Sequence, residues 1–365
     1  MKIREATITD RENWNAFVDS QEGHLYQYFD WKYVMEKDHY TYFQLILEEC
    51  TSKISGILAI GKKNTRWYST IISFSVPLLR KDLSKEEKYK AMKMFFKYLD
   101  DNYSRGCSTS KLLERIPIVN GVTADPIQAI LDSGYRSRYD KTADLPCDFV
   151  LELTPPFEKN IWMGLWPHKT RQILRKVERK RSVTVVVDKE MRYSATYLEM
   201  AIANRKRHRT TPYLGKKILT EFRESMSTEL KVFKDKIKLF VALEDNTPVV
   251  FQLCLYTPST CYLLHLVSFT KFNNDIEKYV CKVAIEDACN SGYRYIDFGT
   301  SSEPGSASQK EMFRGTRILH RNYEKRYSII RYLFELIPLS ITYVLSNKKC
   351  LWAKRKKILD YVFRW

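Results

Sequence analysis

Hydrophobic and polar positions fall into blocks along this chain, and the blocks come in the same order twice. Residues 43–49 (FQLILEE), 54–61 (ISGILAIG) and 68–76 (YSTIISFSV) are short β-type runs that predict a three-stranded meander. From about 85 to 103 the apolar residues recur at helical spacing, with a break expected at Arg105-Gly106, and KLLERI (111–116) then reads as a strand. The order returns later. Residues 238–244, 248–256 and 261–269 are β-type runs split by Asp245-Asn246 and Pro258-Ser259. A helix over 276–290 is expected to stop at Ser291-Gly292, ahead of the strand YRYIDF (293–298). A smaller helix–Gly–strand step, ILDSGYRSRYD (130–140), closes the first half. The first helix is expected to open on a capping box, Thr9-x-x-Glu12, and to turn Trp14, Phe17 and Val18 to one face.

Three antiparallel strands, a helix and a parallel strand are the order expected of an acetyltransferase-type lobe. Recurrence of both element order and stop residues points to an internal duplication. The fold class expected is therefore α/β (α+β), two tandem GNAT-like lobes, each a mixed, mostly antiparallel sheet flanked by helices. The lobes are expected at 1–155 and 156–328, hinged at Thr154-Pro155-Pro156, where consecutive prolines suit neither helix nor ladder. A basic helical insert is expected over 159–235 and an amphipathic basic tail over 329–365.

Composition narrows the field. Among 365 residues, 61 Lys and Arg stand against 43 acids, a net charge of +18, which favours an anionic partner. Residues 169–181 carry seven basic side chains and one acid, and the tail from 347 again carries seven. The eight cysteines form no CxxC pair, and none stands at zinc-ligand spacing from a histidine, so buried thiols, a reducing compartment and no metal are expected. The charged start MKIREATITDRENW does not read as a signal peptide. The longest apolar run, 329–345, is interrupted by Arg331, Glu335 and Pro338, so it is not expected to cross a membrane. No phosphate-cradling G-x-x-x-x-G-K-[ST], no G-x-G-x-x-G and no G-x-S-x-G elbow occurs, which speaks against a nucleotide-hydrolysing enzyme.

Four stretches, taken in order, resemble the Fem-type aminoacyltransferases of the GNAT superfamily. They are YQYFDWKYVMEK (26–37), LWPHKTRQILRKVERKRSVTV (165–185), RKRHRTTPYL (205–214) and GYRYIDFG…QKEMFRG (292–315). The chain departs from the pattern at Arg314, where the family has glycine, and 268–274 lacks a glycine-rich pyrophosphate cradle. The resemblance implies acyl or aminoacyl transfer to an amine or hydroxyl of a cell-wall or surface-polysaccharide precursor, with acyl-CoA or aminoacyl-tRNA as cosubstrate and no tightly bound cofactor.

It also implies that Lys310 points at the acyl carbonyl, where an ammonium would stabilise the developing oxyanion; the plainer reading is a solvated lysine on a flexible Ser-Glu-Pro-Gly-Ser-Ala-Ser loop. Asp297, at the end of its strand, would either orient the acceptor or cap the turn at Gly299. His265 would be a base or an ordinary strand histidine. Trp31, Lys37, Arg205, Arg207, Tyr213 and Phe313 would bind an anionic small-molecule or lipid-linked glycan substrate. Ser268, Asn273 and Asn274 would meet the donor at a helix N-terminus. The basic segments suit tRNA, and the tail suits peripheral contact with an anionic membrane from the cytoplasmic side. A basic RNA-binding protein without chemistry is the rival reading.

Overall fold

A computed structural model describes residues 1–50, 53–65, 68–114, 125–138, 147–180, 182–207, 216–268, 274–301, 304–319 and 321–328. The first half runs β1 (Lys2–Glu5), α1 (Arg11–Ser20), α2 (Trp31–Lys37), then the meander β2 (Tyr40–Glu48), β3 (Ile54–Asn64) and β4 (Ser69–Ser73). After the two-residue β5 (Leu78–Leu79) come α3 (Lys85–Tyr103), β6 (Cys107–Glu114), α4 (Asp125–Asp132), β7 (Arg136–Arg138) and β8 (Cys147–Glu152). The second half opens with α5 (His168–Glu178), then repeats the plan. It has β9 (Val183–Asp188), α6 (Ser194–Arg207), α7 (Lys216–Val232), and the meander β10 (Ile237–Glu244), β11 (Thr247–Tyr256) and β12 (Thr260–Ser268). It ends with α8 (Asn274–Asn290), β13 (Tyr295–Ser301), α9 (Pro304–Met312), β14 (Thr316–Leu319) and β15 (Arg321–Arg326).

The duplication extends to backbone detail. Among the described residues each half has one parallel pair, β4 with β6 and β12 with β13, joined by the long helix between them. The helix stops Gly106 and Gly292 both sit at φ +83°, a left-handed conformation that glycine adopts without a Cβ clash. After the following helix, Gly134 (φ +84°) and Arg314 (φ +63°) take the same left-handed step, so the departure from glycine at 314 lies where the backbone favours glycine.

Two expectations are corrected. The first cap is built on Asp10 rather than on Thr9 and Glu12: its carboxylate accepts from the Thr7 N–H (2.8 Å) and is gripped by both ends of the Arg4 guanidinium (2.7 and 2.8 Å). The sheets also do not follow the linear division at residue 155. One sheet is ordered β1-β2-β3-β4-β6-β15-β7, with β5 on β3, and the other β14-β8-β13-β12-β11-β10-β9. Each half thus lends its last strand to the other: β8 lies between β13 and β14, and β15 between β6 and β7. Residues Cys147–Leu151 of β8 are all buried, as a strand covered on both faces must be, and a place inside a sheet supplies that cover.

Three layers of core result. The outer face of the first sheet packs on α3 and α4 through Phe95, Phe96 and Tyr135, and that of the second on α5, α8 and α9 through Leu174, Ile285 and Phe313. Between the sheets, α1, α2, α6 and α7 fill a shared core that includes Trp14, Trp31, Tyr197, Leu230 and Tyr262. Polar contacts tie the halves together there, with His39 bonded to Glu221 (2.8 Å) and Lys236 set over the Tyr28 ring (4.5 Å). Among the described residues no helix is long and apolar enough to cross a membrane. The tail 329–365 lies outside them.

Candidate functional site

The two parallel pairs differ in how far their strands stay joined. β4 and β6 stay paired along the whole of β4, from Ser69 to Ser73. β12 and β13 are paired only at Thr260, Cys261 and Tyr262, opposite Tyr295, Ile296 and Asp297, and then part. β12 runs on to Ser268 and β13 to Ser301, so a cleft opens between two strands whose amides and carbonyls no longer face each other. A β-bulge aids the divergence: Leu263 pairs with Cys254 and His265 with Leu253, leaving Leu264 as the extra residue.

Asp297 stands at the point of parting. It is buried, and its Oδ1 accepts the Gly299 N–H at 2.7 Å, shaping a turn in which Gly299 has φ +68°. Lys310 braces the same turn from the other side, its Nζ donating to the carbonyls of Gly299 (2.7 Å) and Thr300 (3.0 Å). Lys310 lies on α9, which begins at Pro304, so the plainer reading of a solvated loop lysine does not hold; proline suits a first helical position because its missing N–H has no partner there anyway. Burial pushes the Lys310 ammonium below the ordinary lysine range, while the nearby carboxyls of Asp297 and Asp148 pull the other way. Asp148 comes from the exchanged strand β8 and accepts from the Thr300 hydroxyl (2.8 Å).

The first half reaches into this centre through His24, which no pattern in the sequence singled out. Its Nδ1 accepts the Tyr26 N–H (3.3 Å), so the proton of a neutral ring sits on Nε2, 3.9 Å from Asp297 Oδ2. The His24 ring packs edge-on against Tyr262 at 5.0 Å. Desolvation and the Asp297 charge raise the Tyr262 phenol well above its ordinary value, which keeps it neutral.

A groove of about 680 Å³ opens between the helices that follow the parted strands. Glu277 and Lys278 in the first turns of α8, Ser308, Glu311 and Met312 of α9, and Lys169 and Thr170 of α5 line it. Its chemistry is mixed rather than purely basic.

Other expected site residues divide. His265 lies on the parted stretch of β12, half-buried, with Nε2 3.4 Å from Glu229 Oε2. Arg205 on α6 is exposed and stacks over Phe222 at 4.2 Å, close enough for its charge to act on both His265 and Asp38. Lys37 is exposed at the end of α2. Trp31 is a core residue, 6% exposed between Tyr26 and Phe233, although its Nε1 has no hydrogen-bond partner among the described residues.

Phe313 is corrected from substrate contact to core. It is 1% exposed, set between Trp166 and Phe298, and its carbonyl accepts the Trp166 indole N–H (3.0 Å). Ser268 is also buried, its hydroxyl turned to Glu277 Oε1 (2.5 Å) rather than to open space. Tyr213 and Asn273 lie outside the described residues, as do the side chains of Arg207 and Asn274. Cys254, Cys261 and Cys281 are buried thiols, as expected. Among the described residues no cluster of His, Cys, Asp or Glu could hold a metal ion.

Solved structures share the overall fold. FemX superposes with a TM-score of 0.69 over 92% of this chain and 100% of its own, at 13% identity. The chain has the FemX fold. L-PGS from Bacillus licheniformis gives a TM-score of 0.54, 13% identity, and coverage of 90% of this chain and 96% of its own. A tandem GNAT protein from the clavulanic acid biosynthesis pathway gives 0.53, 9% identity, and coverage of 90% and 98%. No family model matches the chain, and no curated protein matches its sequence. The resemblance read from four short stretches is thus borne out at the level of fold, with two sheets flanked by helices in tandem GNAT-like lobes.

Proposed function

We propose that this protein is an acyl- or aminoacyl-transferase in which the second lobe takes an activated acyl donor into the groove between α8 and α9. Parting of β12 from β13 at Tyr262 and Asp297, with Lys310 beside it, is the observation that carries the reading. The exposed strand edges would hold the donor arm by backbone hydrogen bonds, as an added strand is held. The acyl carbonyl would then lie near the Gly299 turn. Attack by an acceptor amine or hydroxyl places negative charge on the carbonyl oxygen, and the Lys310 ammonium would stabilise it in a site partly closed to water. Asp297 would keep that turn in shape. FemX, L-PGS and the tandem GNAT protein support a transferase by likeness of fold.

The acceptor we propose is an anionic precursor of a cell-envelope polymer, held between the lobes near Arg205 and Lys37. Either acyl-CoA or aminoacyl-tRNA would serve as donor. Both are made inside the cell, and we propose the cytoplasmic side as the place of work, with the basic tail against an anionic membrane face. No observation favours the RNA-binding alternative.

A thermal-shift series with acetyl-CoA, longer acyl-CoAs and total aminoacyl-tRNA tests the reading. A ligand at about 100 times its Kd stabilises by about 2.7 kcal/mol. A shift with one class identifies the donor, and no shift with either overturns the proposal.

A further inference from the structure

A second acid–base pair has its imidazole on the parted strand and its carboxyl on α7, a helix that no sequence motif singles out. The bulge at Leu264 sets His265 towards α7, where Glu229 Oε2 lies 3.4 Å from the ring Nε2. Glu229 is 5% exposed, whereas the His265 side chain is 37% exposed, so the carboxyl sits behind the imidazole and the imidazole faces outward. The groups around the pair come from every element packed on it. Arg205 and Tyr197 stand on α6, Glu229 on α7, and the Gln252 amide of β11 donates to the His265 carbonyl (3.4 Å).

A carboxyl buried this deeply is costly unless it is paired, and an ordinary structural pair would use both oxygens. Here Glu229 Oε1 and the buried Tyr197 hydroxyl have no hydrogen-bond partner among the described residues. One Glu229 oxygen thus serves only the imidazole. A carboxyl fixed on one ring nitrogen sets the tautomer, directs the ring and makes the other nitrogen a stronger base.

We propose that Glu229 is the positioning residue for His265, holding it as the general base of the transfer, with Nδ1 as the nitrogen that takes the proton. This rests on the transferase reading above. As the acceptor nitrogen or oxygen bonds to the acyl carbon, its proton passes to His265 Nδ1 and the carbonyl pair moves onto oxygen. That pair then returns, the C–S or C–O bond to the donor breaks, and the proton leaves with the departing thiol or hydroxyl. Burial is the largest single influence and opposes a charged His265, but the charge and hydrogen bond of Glu229 together outweigh it and the smaller opposition of Arg205, so the net direction is upward from the ordinary 6.5.

The test compares single-turnover pH–rate profiles, at saturating donor, of wild type and Glu229→Gln, with the donor-induced thermal shift measured in parallel. The neutral imidazole is the active form, so the wild-type rate should climb with pH through the raised His265 midpoint. Glu229→Gln should leave the donor shift unchanged, lower the rate about tenfold or more, and move the acidic limb to lower pH. Glu229→Asp should restore the position of the limb.

A slower rate with an unmoved limb would overturn the proposal in favour of a structural role. If wild type transfers from neither donor, the transferase reading fails. The pair is then tested alone by histidine-ring NMR, where Glu229→Gln should lower the His265 titration midpoint and an unchanged midpoint overturns it.

Discussion

Replacing Lys310 by methionine removes an ammonium while keeping the length and much of the shape of the side chain. In the wild type that ammonium donates to the carbonyls of Gly299 and Thr300 at 2.7 and 3.0 Å. If it also stabilises the oxyanion, its loss should slow transfer by ~10²–10³, the effect of removing one oxyanion donor. Stability should fall by less than two lost hydrogen bonds suggest. Charge-assisted bonds are worth ~1.5–3 kcal/mol each, but a partly buried ammonium that burial already disfavours is no longer held, so we expect a net loss of about 2 kcal/mol. The turn itself should survive, because Asp297 Oδ1 still accepts the Gly299 N–H at 2.7 Å. Single-turnover transfer at saturating donor, with donor Kd from a separate titration, separates the effects. A rate within threefold of wild type would refute the oxyanion role. Rate and donor affinity lost in equal proportion would show that Lys310 only shapes the donor site.

Four further outcomes follow from the same geometry. The pH–rate profile should be bell-shaped, because His265 must be neutral and its value is raised, while Lys310 must be charged and its value is lowered; activity should rise above 6.5 and fall before 10.5, and a monotonic profile would exclude this pairing. Arg314→Gly should stabilise by about 0.5–1 kcal/mol in urea denaturation, since the position holds φ +63°; a loss would mean that the guanidinium makes contacts of its own. Phe313→Ala should destabilise by ~3–5 kcal/mol, being a core ring between Trp166 and Phe298, and a stable variant with a raised KM would restore it to the substrate site. Donor titration should find one site per chain, because the β4–β6 pair stays closed; two equivalent sites would contradict that difference between the lobes.

What the sequence carried by itself was local order. Apolar β-type runs at 238–244 and 261–269, helical spacing over 85–103, and glycines at 106 and 292 are short-range signals, and the strands, helices and stops they predicted are present. Repetition of that order was enough to reveal two lobes, because chain neighbours remain neighbours in a meander. The run CDFVLE at 147–152 was not among the strands expected, and burial on both faces would in any case say only that neighbours exist, not which sheet supplies them. RNYEKR at 321–326 carried no such signal; its place depends on Tyr323 and Glu324 being buried by partners from the first half.

The site depended still more on tertiary structure. Lys310 and Asp297 were visible because a family motif runs through both. His24 and Glu229 were not, because each acts on a residue more than thirty positions away, and no spacing rule joins them. Phe313 was misread for the converse reason: the motif marks it, but only packing shows that Trp166 and Phe298 enclose it. Nor could pattern tell the lobes apart, since both parallel pairs follow the same plan. Their difference is one of register and a bulge at Leu264, fixed by how the strands pack, and it confines the open cleft to the second lobe.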